Sequence, residues 1–63
     1  MNLNRLKGLM AEKGVTRSEL AKILNISLKT LSLKINGKTS FKVNELILIC
    51  DYFNVKPDFF LSI

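Results

Sequence analysis

Between Ser27 and Gly37 the side chains separate into two groups when the chain is wound as a helix. At about 100° per residue from Leu28, Leu31 and Ile35 point to about 300° and 340°, while Ser32, Asn36, Lys29 and Leu33 fill a contiguous sector from about 40° to 140°. The second group has the chemistry to read base edges in a major groove. Lys29 can donate to guanine O6 or N7, Ser32 can donate or accept, and Leu33 can meet a thymine methyl. Asn36 can bind adenine through two hydrogen bonds, although a position at the helix end suits backbone contact better. Leu28 lies on the boundary and can serve either side. Lys34, at about 240°, is expected to snorkel beside the core edge. A lone exposed leucine is ordinary on a protein surface, so Leu33 gains weight only from its surroundings.

Three further positions can hold phosphates. Arg17 stands at the start of one helix, Ser27 with its following amides at the start of the next, and Lys38 just beyond that helix. Helix N-termini attract anions, and phosphate contacts fix register without reading sequence. The charge distribution agrees. The chain of 63 residues has 10 Lys and Arg against 5 Asp and Glu, a net +5. Arg17, Lys22, Lys29, Lys34, Lys38 and Lys42 face only Glu19, whereas Arg5, Lys7, Lys13 and Lys56 balance Glu12, Glu45, Asp51 and Asp58. The excess therefore sits in one central segment, the footprint of a partner that is a polyanion, nucleic acid first and an anionic membrane second. A basic surface that serves only solubility has the same composition.

Other chemistries lack their residues. There is no His, and Cys50 is the single cysteine, which excludes His-based acid–base catalysis, a Cys/His metal cluster and an internal disulfide. The acids are scattered, with Glu19 engaged in capping, so no pair suggests catalysis. Neither enzyme activity nor a cofactor, metal or small-molecule substrate is expected. Cys50 falls on an inward stripe and reads as an inert buried thiol. The apolar run Leu46 to Cys50 is far too short to span a bilayer, and residues 1–13 carry charges where a secretory signal needs an apolar stretch. A cytoplasmic protein is expected. At 48% hydrophobic residues, the length accommodates one small globular domain over 1–63.

Five short helices must position these residues, and no strand alternation of useful length occurs. The first spans about Asn4 to Lys13, with Leu3, Leu6 and Met10 on one face, Leu9 beside them, and Gly14 as its stop. Thr16-Arg17-Ser18-Glu19 has the form of a capping box, with Glu19 reaching back to the Thr16 amide. Val15 and Leu20 close a hydrophobic staple over this second helix, which turns Leu20, Ile23 and Leu24 inward and ends at a left-handed Asn25. Ser27 caps the third helix, which runs to Ile35 or Asn36 with Gly37 as its stop. The fourth spans Val43 to Phe53. A stripe of Val43, Leu46, Ile47, Cys50 and Phe53 is expected to face the core, with Asn44, Glu45 and Asp51 opposite and Asn54 as terminator. Lys56-Pro57-Asp58 opens a short fifth helix with Pro at its first position. The gap of about three residues between helices two and three forces a steep, close crossing at Ala21, the geometry of a helix-turn-helix that presents the third helix outward.

The chain resembles the phage repressor and Cro family of helix-turn-helix transcription regulators from Leu6 to Phe60. The resemblance is carried by Arg17 to Ala21, Asn25 to Ser27, Lys29 to Ser32 and Asn36 to Lys38, with Glu45-Leu46 and Asn54-Val55 behind them. It is similar above all to small phage regulators with the segment Leu-Lys-Ile-Asn-Gly-Lys, here Leu33 to Lys38. The resemblance implies an all-α, lambda-repressor-like domain that binds operator DNA as a two-fold dimer and represses transcription. The chain departs from the commonest family pattern at Asn25, where Gly is usual, at Arg17, where Gln is frequent, and at Leu28 and Leu33, where amides are frequent. The first is conformationally tolerable; the others imply a retained phosphate contact and few base-specific hydrogen bonds.

Two functions compete. The first is a sequence-specific regulator whose DNA contacts are Arg17, Ser27, Leu28, Lys29, Ser32, Leu33, Asn36 and Lys38, working as a homodimer on DNA. The second is a helix-turn-helix protein-interaction module, of the antirepressor or antitoxin-like kind, favoured by the outward Leu28 and Leu33. A membrane-surface role ranks third, since no helix joins a basic face to a strongly apolar one at suitable length. The C-terminal Phe59, Phe60, Leu61 and Ile63 either seal the core or form an apolar patch for a second copy.

Overall fold

A computed structural model describes residues 1–61, and they form five helices: α1 (Leu3–Lys13), α2 (Arg17–Leu24), α3 (Leu28–Ile35), α4 (Val43–Phe53) and α5 (Asp58–Leu61). Among the described residues no strand is present, and no helix is long and apolar enough to cross a membrane.

Helix ends follow local chemistry. Asn2, Thr16 and Ser27 each accept a backbone N–H from the third residue onward, closing the N-termini of α1, α2 and α3. Four left-handed residues, Gly14, Asn25, Gly37 and Asn54, stand at the C-termini. At each, one N–H returns to the carbonyl three residues back and the next N–H to the carbonyl five back, for example Gly37 to Lys34 (3.2 Å) and Lys38 to Leu33 (2.9 Å). Three of these turns place an apolar side chain just after the left-handed residue, and Val15, Ile26 and Val55 all pack on the core. The fourth places the exposed Lys38 there.

Two end signals differ from expectation. The Thr16 hydroxyl donates to the Glu19 carboxylate at 3.3 Å, so the reciprocal half of the box reaches the hydroxyl rather than the backbone amide. Pro57 precedes α5 instead of occupying its first position, and its carbonyl accepts the Phe60 and Leu61 amides.

Leu6, Leu9, Leu20, Ala21, Leu24, Leu31, Ile35, Ile49, Cys50 and Phe60 form the centre of the core. α2 packs on α3 and on α4, and α1 packs on α5. The last contact is strengthened by Asn2, whose N–H donates to the Phe60 carbonyl at 2.6 Å, and by Arg5, which donates to the Phe59 carbonyl and lies 5.4 Å over its ring. Of the C-terminal residues, Phe60 is fully buried, Phe59 half-buried and Leu61 exposed; Ile63 lies outside the described residues.

The buried face of α4 differs from the expected stripe. Val43 is 76% exposed and Ile47 49% exposed, whereas Ile49 and Glu45 are buried alongside Cys50 and Phe53. Five consecutive apolar residues, Leu46 to Cys50, offer two nearly equivalent inward faces. The choice falls to Glu45, which turns inward to meet Lys34 and brings Ile49, one helical turn later, into the core.

Candidate nucleic-acid interface

α2 and α3 are joined by Asn25-Ile26-Ser27. The left-handed Asn25 (φ 57°) reverses the chain, and the Ile26 amide donates to the Ala21 carbonyl at 3.0 Å, so the turn is fixed by backbone bonds. Ala21 is buried at this junction, as a close crossing requires. α3 then buries Leu31 and Ile35, and its other side is left open.

On that side Lys29, Leu33 and Asn36 are exposed, Ser32 is half-buried, and Leu28 is exposed at the helix start. Leu28 and Leu33 are thus apolar surface on the flank that carries Lys29 and Asn36. Arg17, the first residue of α2, is exposed and lines a shallow depression with Lys7, Val15, Thr16 and Ile35. It therefore lies beside the end of α3. Lys7 enters the same depression from α1; no spacing in the sequence pointed to it. Lys38 is exposed one residue past the left-handed Gly37. Among the described residues the Arg17, Lys22, Lys29, Lys38 and Lys42 side chains enter no ion pair.

Ser27 is committed locally. Its Oγ accepts the Thr30 amide at 3.1 Å and donates to the Thr30 hydroxyl at 2.8 Å. What the start of α3 offers an anion is its first amides, which have no partner within the helix.

Lys34 departs furthest from expectation. Instead of snorkelling, it is 6% exposed; its Nζ donates to Glu45 Oε1 at 2.7 Å and to the Ser40 carbonyl at 3.2 Å, and stands 5.8 Å from the Phe41 ring. Its charge is therefore neutralised and adds nothing to a basic surface. The same Glu45 oxygen accepts the Lys42 amide at 2.8 Å, capping α4. Burial alone would raise the Glu45 pKa; the hydrogen bonds and charges of Lys34 and Lys42 outweigh it and hold the carboxyl below its ordinary value. Since the folded value is the lower one, the pair's contribution is present at neutral pH and is lost as pH falls through the depressed folded pKa. Melting temperature should therefore fall less steeply between about pH 5 and pH 3 in Glu45→Gln than in the parent. Equal slopes would show that folding does not shift the Glu45 pKa. The buried Cys50 thiol moves the other way, raised first by burial and then by the Asp51 charge, as an unreactive core thiol should be.

No curated protein and no solved structure matches the chain. One family does: the Cro/C1-type HTH DNA-binding domain, over residues 5–62. That span takes in the capped α2, the three-residue turn, the outward α3 and the helices that hold them. The chain belongs to the Cro/C1-type helix-turn-helix family of DNA-binding domains.

Proposed function

We propose that this chain, as one domain over residues 1–63, is a sequence-specific transcription regulator of double-stranded DNA, a Cro- or C1-like phage or prophage repressor acting in the cytoplasm. α3 enters the major groove, where Lys29, Ser32 and Leu33 read base edges, with Leu28 and Asn36 at the two ends of the contact. Arg17, the amides after Ser27, and Lys38 hold phosphates and set register. The observation that carries this reading is the bare flank of α3, with exposed Lys29 and Leu33, between the unpaired Arg17 and Lys38. The protein acts as a dimer on DNA, because one recognition helix gives too little affinity alone. Two domains of 26 × 23 × 19 Å side by side can bring their α3 helices about 34 Å apart, the spacing of successive major grooves, so the operator is palindromic. Exposed Val43, Ile47 and Leu61 supply apolar surface for the second copy.

Selection of bound sequences from a random duplex pool tests the reading, and a two-fold symmetric consensus is expected. On that consensus Lys29→Ala or Ser32→Ala should cost about 1–3 kcal/mol at particular base pairs, whereas Lys38→Ala should weaken all sequences alike. Identical effects on consensus and random DNA would overturn the division of roles. The exposed Leu28 and Leu33 favour one other reading, a module that binds a protein. Absence of any mobility shift with mixed-sequence DNA at low salt would select it.

A further inference from the structure

The segment between α3 and α4 carries Lys38, yet it contains little that would hold it in one place. Of its residues only Phe41 packs on the core. Thr39 and Ser40 are exposed, and Gly37 has a positive φ. Backbone bonds to the Leu33 carbonyl, from Lys38 (2.9 Å) and Thr39 (3.4 Å), secure its first half. The second half is secured by a single ion pair. The Lys34 ammonium takes the Ser40 carbonyl, the Glu45 carboxylate takes the Lys42 amide, and the two charges meet at 2.7 Å between them. Both residues are buried, Lys34 at 6% and Glu45 at 5% exposure.

A buried ion pair is a poor device for stability alone, since apolar residues of similar volume commonly do as well or better. What this one does geometrically is tie α3, the following segment and the start of α4 into one unit. We infer that Glu45, acting through Lys34, is a positioning residue for DNA binding: the pair fixes the Ser40–Lys42 half of the segment, which completes the hold of the Leu33 carbonyl on its first half, so that Lys38 meets a phosphate while α3 lies in the groove. The inference rests on the DNA-binding reading above and adds two residues that touch no DNA themselves. An ordered segment binds without first giving up its conformational freedom; a loose one forfeits that part of the affinity.

The test is a cycle of four proteins on a mixed-sequence duplex at low salt: parent, Lys34→Met/Glu45→Leu, Lys38→Ala, and all three changes together. The apolar pair removes both charges at once and so leaves no unpaired buried ion; thermal melting by circular dichroism verifies folding. The expected result is a folded Lys34→Met/Glu45→Leu protein that binds about tenfold more weakly, the size of one charge-assisted contact. The slope of log affinity against log salt should shrink by about one per subunit. In the Lys38→Ala background the same replacement should change affinity less than about twofold, because the contact it positions is already gone. Hydrogen exchange at the Lys38 and Thr39 amides should quicken in the variant without DNA present. Should the double replacement melt below the assay temperature, Glu45→Gln, which keeps an acceptor for the Lys42 amide, takes its place in the cycle. A folded variant that binds like the parent overturns the inference. A loss of equal size with and without Lys38 overturns it too, since the pair would then act elsewhere. A parent that binds no duplex overturns the DNA reading itself.

Discussion

Phe60→Ala unfolds most of the protein at room temperature. Phe60 is fully buried, and removing a buried phenylalanine costs about 3–5 kcal/mol. That is the whole stability of many chains of this length. The residue also belongs to α5, four residues that cannot be helical alone and whose buried anchor on α1 is the Phe60 ring. Its ring stacks edge-on against Phe59 at 5.1 Å, and Phe59 in turn receives Arg5, so the loss extends to both chain ends. The neighbouring Leu61, 58% exposed, is the control: Leu61→Ala should shift stability by less than about 0.5 kcal/mol. Circular dichroism melts separate the two. A Phe60→Ala midpoint within a few degrees of the parent would mean that α5 does not seal the core.

Salt produces the largest change in binding. In the proposed dimer, with Arg17 and Lys38 of each subunit on phosphates, raising monovalent salt from about 50 to 200 mM should lower affinity about a hundredfold, through displaced counterions. Lys34 is left out of that count because Glu45 neutralises it. Binding titrations at several salt concentrations give the slope, which should be steep and nearly the same for consensus and random duplexes. A shallow slope would mean that the central basic segment does not meet a polyanion.

Most of the fold was legible because its boundaries are written in short-range chemistry. Thr16 and Ser27 as caps, and Gly14, Asn25, Gly37 and Asn54 as left-handed stops, each act over five residues or fewer, so their meaning survives without knowledge of the rest. The outward face of α3 was legible for a related reason: Leu31 and Ile35 define one inward side without competitors. α4 was different. Leu46 to Cys50 satisfies more than one inward face, and the deciding partner, Lys34, lies eleven positions before Glu45. An ion pair between two helices leaves no periodic trace, so Glu45 read as a solvent residue and Lys34 as part of the basic footprint. Lys7 escaped notice because α1 reaches the Arg17 depression only through tertiary packing.

The bond from the Gly37 amide to the Lys34 carbonyl bears on the chemical lifetime of the protein. Asparagine followed by glycine is the dipeptide most prone to spontaneous deamidation, which begins when the glycine nitrogen attacks the asparagine side-chain carbonyl. In the folded chain that nitrogen donates to the Lys34 carbonyl at 3.2 Å and is less free to attack. Each time the helix end frays, the protection lapses, and the product is a carboxylate where the exposed flank of α3 had carried a neutral amide. Ageing therefore adds a negative charge beside Lys38, at a rate governed by how often this one turn opens.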